Sequence, residues 1–167
     1  MKMNIQTLMN EISDCDKLSD RLWGFLSSRI YSVSTRELDG TKNVMSNYYD
    51  EYQKVLKEYE DNLSKLTKLK TILYEKNNTF KLSDGRTIQS AIIDNSNLRK
   101  LKSTYEELLI YVDTTRRIDE ANSSYFEVNT INYDRSVIEK ELASIVKKIQ
   151  ETDLEISKLN SIEFIID

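Results

Sequence analysis

The residues best placed to do chemistry in this sequence gather in one polar stretch: Asn77, Asn78 and Thr79, then Asp84, Gly85, Arg86 and Thr87. Arg86 offers a planar fork of donors to an anion or a carbonyl, and the amides of Asn77 and Asn78 can add to it. Thr87 opens a helical pattern, and the free N–H groups of a helix start favour the same negative charge. A small-ligand site here would use Asn77, Asn78, Thr79, Asp84, Arg86 and Thr87. The competing reading is a joint in which these groups satisfy one another and the adjoining helix ends. One glycine falls well short of the glycine-rich loop that cradles a phosphate.

Other chemistries find little in the composition. Histidine is absent, which excludes histidine acid-base catalysis, the usual nucleophilic triads and most zinc sites. The acidic pairs Glu106-Glu107 and Glu139/Glu141 lie in solvated helix patterns, and Asp113 with Asp119-Glu120 lacks the spacing of a calcium loop. No catalytic residue, metal or cofactor is therefore assigned, and the chain is read as not an enzyme. The formal net charge of −4 argues against a nucleic-acid partner, which needs a basic face. A lone cysteine, Cys15, cannot form an intrachain disulfide and falls on an apolar helix face. With no apolar run at the N-terminus and none of about 18 residues anywhere, a soluble, cytoplasmic protein is expected and a membrane is not.

The elements that must position the polar stretch read as helices. Zero prolines and three glycines remove the usual breakers. Ile5, Leu8, Ile12, Cys15, Leu22 and Leu26 mark one face of a first helix, with Trp23 off that seam. Tyr31–Thr35 loses the helical period, and Asp39-Gly40 supplies a turn. Tyr48, Tyr52, Val55, Tyr59, Asn62, Leu66, Leu69 and Leu73 then step by four and three, which is coiled-coil spacing over a long helix at 42–76. Asn62 occupies an apolar position of that seam, where a polar group can fix register. The same seam takes Tyr48, Tyr52 and Tyr59 from among ten tyrosines, so packing is favoured over a stacking surface.

Beyond the central turn, 77–88, a third helix is marked by Ile88 to Val112 and ends near Asp113-Thr114, with Thr87 as its N-cap. Residues 119–124 read as a loop, and Tyr125–Ile131 is the best strand candidate. Asn132 is a candidate cap for a last helix, whose seam is Ile138, Leu142, Ile145, Ile149, Thr152, Ile156 and Leu159. The apolar ending from Ile162 to Ile166 is expected to dock as a short strand or tail. Asp84-Gly85 also fits a two-residue hairpin turn, with 79–82 as its first strand.

Two passages carry a family resemblance: Asn77-Asn78-Thr79 with Asp84-Gly85-Arg86-Thr87-Ile88, and Val128-Asn129-Thr130-Ile131 leading into Glu139-Lys140-Glu141-Leu142. With these the chain resembles a small bacterial family of helical proteins labelled septicolysin. The resemblance implies a coiled-coil-like, self-assembling cytoplasmic protein, and the label implies a cytolysin. At Ser90 the sequence departs from the family pattern, where an acidic residue would complete a capping box with Thr87.

The expectation is thus a mainly all-α single domain over 1–167, an antiparallel coiled-coil-like bundle of four main helices with a minor β-hairpin or short strands. Its expected function is that of a non-enzymatic structural or interaction protein, a homo-oligomer through its apolar seams, with room for another protein partner. The alternatives are a membrane-active, cytolysin-like protein and a small-ligand binder at the Asp-Gly-Arg-Thr turn.

Overall fold

The computed structural model describes residues 2–166. It corrects the all-α expectation: about 62% of the described residues are helical, but about 18% are strand, in three small antiparallel sheets among them. The elements are β1 (Lys2–Met3), α1 (Ile5–Ser28), β2 (Val33–Arg36), β3 (Lys42–Ser46), α2 (Tyr49–Thr79), α3 (Ile88–Leu108), β4 (Thr114–Glu120), β5 (Ser123–Asn129), α4 (Arg135–Asn160) and β6 (Phe164–Ile165). Packing divides them into two compact units, one holding the described residues up to Asn77 together with those from Asn160 onward, the other Asn78–Leu159.

In the first unit, Asn4 caps α1, its Oδ1 accepting from the Thr7 N–H at 2.8 Å. The seam residues Leu8, Ile12 and Cys15 are buried against Leu66 and Leu69 of α2, with Met3, Phe164 and Ile166 closing the cluster. Asn62 is buried with them and its amide nitrogen is engaged: its Nδ2 donates to the Cys15 carbonyl and to Ser19 Oγ, each at 2.8 Å. The heptad seam of α2 is therefore satisfied inside one chain, by an antiparallel helix. Trp23, off the seam, lies against Tyr59 with ring centroids 6.5 Å apart and stays 59% exposed. The apolar C-terminal tail docks as β6, which pairs antiparallel with β1.

The link between α1 and α2 is a hairpin. β2 and β3 pair antiparallel with an irregularity between Val33 and Ser34. Gly40, at φ 91°, makes the reversal that a side chain would strain, and Asp39 Oδ1 accepts from the Thr41 N–H at 2.8 Å. The helix expected over 42–76 accordingly begins at Tyr49 and continues to Thr79. Its first turn carries Asp50 and Glu51, well placed for the positive end of the helix dipole.

The second unit repeats the order helix, hairpin, helix. α3 and α4 run antiparallel, burying Ile88, Ala91 and Asn95 on one and Ile145, Ile149 and Thr152 on the other. Asn95 plays a part like that of Asn62: its Nδ2 donates to Asp153 Oδ1 at 2.9 Å and to the Ile149 carbonyl at 3.4 Å. Its Oδ1 is buried and has no hydrogen-bond partner. The expected loop at 119–124 is instead strand and turn, because β4 and β5 pair without interruption from Thr114↔Asn129 to Glu120↔Ser123. Tyr133 Oη donates to the Leu108 carbonyl where the hairpin returns to the helices. α4 is capped by Asp134, not Asn132: its carboxylate accepts from the Ser136 N–H at 2.8 Å and from Val137 at 3.3 Å. A bond from the Ser136 hydroxyl, also at 2.8 Å, and then those two N–H bonds hold its pKa below the usual carboxylate range.

No helix among the described residues is long and apolar enough to cross a membrane.

Candidate functional site

The polar turn is built between the end of α2 and the start of α3. Leu82 N–H donates to the Arg86 carbonyl at 2.8 Å and Gly85 N–H to the Leu82 carbonyl at 3.0 Å. Gly85 takes φ 86°, a conformation that a Cβ would strain. Among the described residues the ladder here is a single bridge, Lys81↔Thr87, so the strand expected over 79–82 does not form: Thr79 still belongs to α2. Thr87 caps α3 as expected, its hydroxyl accepting from the Ser90 N–H at 3.1 Å.

Arg86 is the centre of this turn, and its donors are engaged. Nε and Nη2 meet Asp84 Oδ2 at 2.8 and 2.7 Å, Nη1 meets Asp94 Oδ2 at 2.9 Å, and Nη2 also reaches Thr152 Oγ1 at 3.5 Å. The fork therefore joins the turn to α3 and α4. Asp84 adds a bond from the Arg86 N–H at 3.0 Å. Its pKa lies below the usual carboxylate range, first through the Arg86 side chain and then through that backbone N–H, while the two aspartates raise the pKa of Arg86. Next to it, Glu155 of α4 accepts from the Ser83 N–H at 2.9 Å and from Ser83 Oγ at 2.7 Å, which lowers its pKa as well.

A cleft of about 310 Å³ opens beside these groups, lined by Leu82, Asp84, Arg86, Leu98, Lys148, Glu151, Thr152 and Glu155. Three carboxylates face two cations there, and one of those cations, Arg86, already bridges Asp84 and Asp94. An anion would have to displace that pairing. Of the six residues expected to form a ligand site, Asp84 and Arg86 line the cleft. Asn77, Asn78 and Thr79 sit in the last turn of α2, and Thr87 serves α3 as its cap.

Residues that the sequence does not announce complete the arrangement. Asp94 follows Arg86 by eight positions, two turns into α3, and that spacing is a usable signal. Thr152 and Glu155 come from α4, at 66 and 72 positions from their partners, and nothing local marks them. A second bridge of the same kind lies deeper along the pair, where Arg99 Nη2 meets both carboxylate oxygens of Asp153 at 2.9 and 2.7 Å. Among the described residues no cluster of acidic and cysteine side chains is arranged to hold a metal ion.

The fold is similar to the crystal structure of a functionally unknown conserved protein from Corynebacterium diphtheriae, with a TM-score of 0.64 over 99% of this chain and 100% of that one. At 17% identity the likeness concerns the fold alone. No curated protein matches the sequence. The comparisons carry nothing of septicolysin, so what stands of that resemblance is membership of an uncharacterised family. Residues 47–162, more than two thirds of the chain, match a family model described as a family of unknown function, and the chain belongs to that family, DUF6847.

Proposed function

We propose that this protein is a non-enzymatic interaction protein that associates with itself through its hairpins. The observation that carries the reading is β4–β5: all seven residues of β5 are exposed, among them Tyr125, Phe126 and Val128, and of β4 only Ile118 is partly covered. A two-stranded hairpin is marginal in water unless something packs on it. The heptad seams, by contrast, already supply the cores of the two helix pairs, which leaves the hairpins as the surfaces open to a partner.

The absence of a catalytic role belongs to the same reading. It rests on a turn whose arginine and carboxylates engage one another rather than converge on a free centre. A cytoplasmic setting fits a lone, buried Cys15.

Multi-angle light scattering and sedimentation of the full chain, from low to high micromolar, test the proposal. An oligomer is the expected result. A monomer throughout that range counts against it.

A further inference from the structure

Two features leave β4 open to a further strand. The β4–β5 ladder pairs over seven residues without a bulge, whereas β2–β3 shifts register at Val33/Ser34. In a two-stranded sheet β4 also keeps one edge unpaired, a row of donors and acceptors able to template another strand. Bulges and prolines, two of the usual protections of such an edge, are absent from β4; charge, the third, is present, but in an order that a second copy can match.

The charge order of β4 is self-complementary. It reads Thr114-Thr115-Arg116-Arg117-Ile118-Asp119-Glu120, basic before its centre and acidic after it. Resting on the self-association reading above, we propose that two copies of the chain join by antiparallel pairing of their β4 edges about a two-fold axis between the two Ile118 residues, giving a continuous four-stranded sheet.

Symmetry and charge fix the register. A two-fold axis perpendicular to the sheet places residues of the same face opposite one another, so the pairing must centre on a residue. Centring on Arg117 sets Arg117 against the partner's Arg117, and centring on Asp119 sets two aspartates together; like charges directly opposite are destabilising. Centring on Ile118 sets Arg117 against the partner's Asp119 and Arg116 against the partner's Glu120, each pair occurring twice. No other strand does this. In β5 the same operation about Phe126 opposes Tyr125 and Glu127, and in β3 it opposes Lys42 and Ser46.

The faces agree with this register. Ile118 pairs with Tyr125 inside the hairpin. The central row of the joined sheet is therefore Tyr125, Ile118, the partner's Ile118 and the partner's Tyr125, an apolar line between two Arg–Glu pairs. Arg116 would lie between Glu127 of its own hairpin, now at 3.4 Å, and the partner's Glu120. Arg117 now holds Asp119 of its own strand at 2.9 Å, with both side chains more than 60% exposed. Such an ion pair is weak in water and easily shared with a second chain. Main-chain bonds along the edge supply adhesion and the charges select the partner, as in other strand-addition interfaces.

The test uses the full chain and two single charge reversals, Arg117→Asp and Asp119→Arg. Circular dichroism checks that the helices are intact, and sedimentation gives the dimer dissociation constant. Each reversal alone turns both Arg–Asp pairs into like-charge pairs and is expected to weaken the dimer by roughly tenfold or more. Mixed in equal amounts, the two variants restore opposite charges at both pairs, and the dimer is expected to return as a heterodimer. The control Arg36→Asp on β2 is expected to leave the dissociation constant unchanged. If the native chain dimerises but neither reversal weakens it, or the mixture fails to restore it, β4 pairing is overturned while self-association through another face stands. If the native chain is monomeric at every concentration, both readings fall.

Discussion

Asn62 offers the sharpest test of how the first unit is held together. Its amide nitrogen makes two 2.8 Å bonds, to the Cys15 carbonyl and to Ser19 Oγ, from a side chain that is 7% exposed. In Asn62→Ala both bonds go and a small void opens between the helices. Two net hydrogen bonds of about 1 kcal/mol each, plus lost packing, put the cost at about 2–3 kcal/mol. Asn62→Leu loses the same bonds but gains about 1.5–3 kcal/mol of apolar burial on the seam, so it should fall within about 1 kcal/mol of the native protein. Residue 15 lies inside α1, where its carbonyl also faces the N–H of residue 19, so neither variant leaves that acceptor stranded. The assay is urea unfolding followed by the fluorescence of Trp23, the single tryptophan, whose ring rests on Tyr59 about one turn from Asn62. The leucine variant should also lose some register specificity, seen as a lower m-value. A cost below about 0.5 kcal/mol for the alanine variant, or equal losses for alanine and leucine, would refute the partition between hydrogen bonding and packing.

The remaining predictions concern the turn and the glycines. Arg86→Met should lower the melting temperature by roughly 2–6 °C with helicity retained, and Arg86→Lys should recover little, because an ammonium cannot bridge Asp84 and Asp94 as a fork does. The depressed pKa values of Asp84 and Glu155 favour the folded state above the ordinary carboxylate range of about 4; that stability is lost as pH falls through their folded-state values. Acid titration monitored by circular dichroism should therefore show a slightly shallower loss below pH of about 4 in Ser83→Ala, which removes the hydroxyl bond to Glu155 and keeps the one from the backbone N–H. Two glycine substitutions should differ in sign although an added Cβ meets no atom within 4 Å at either place. Gly85→Ala should destabilise by about 1–2 kcal/mol because of its positive φ, whereas Gly24→Ala, inside α1, should stabilise by about 0.5–1 kcal/mol, both measured by thermal unfolding.

What the sequence made legible follows from burial. Leu8, Ile12 and Cys15, then Leu66 and Leu69, then Ile145 and Ile149 lie on faces that bury, so their three-and-four spacing reports the helices directly. Asn62 stood out because it broke that spacing, and Thr87 because a hydroxyl precedes an apolar pattern. The hairpins leave a fainter trace: the aromatic and β-branched run from Tyr125 marks β5, and Asp39-Gly40 marks the β2–β3 reversal, while β2, β3 and β4 themselves go unmarked. β2, β3, β4 and β5 bury neither face, so nothing forces apolar and polar residues to alternate along them, and Asp119 and Glu120 read as loop. That is why 42–46 reads as part of the following helix and 119–124 as a loop. At the turn, the motif draws attention to Arg86, around which the hydrogen bonds of the turn gather. Its partners Thr152 and Glu155 are supplied by a helix far along the chain, and with them the arginine becomes a clasp.

The buried thiol of Cys15 has a consequence of its own. It is the one nucleophilic sulfur in the chain, and it faces Leu66 and Leu69 in the core of the first unit. A thiol so enclosed can react with an alkylating reagent only when α1 and α2 part, so the labelling rate in native buffer follows the fraction of time that the unit is open. Without any engineered probe, the protein carries an internal clock for the opening of one of its two units.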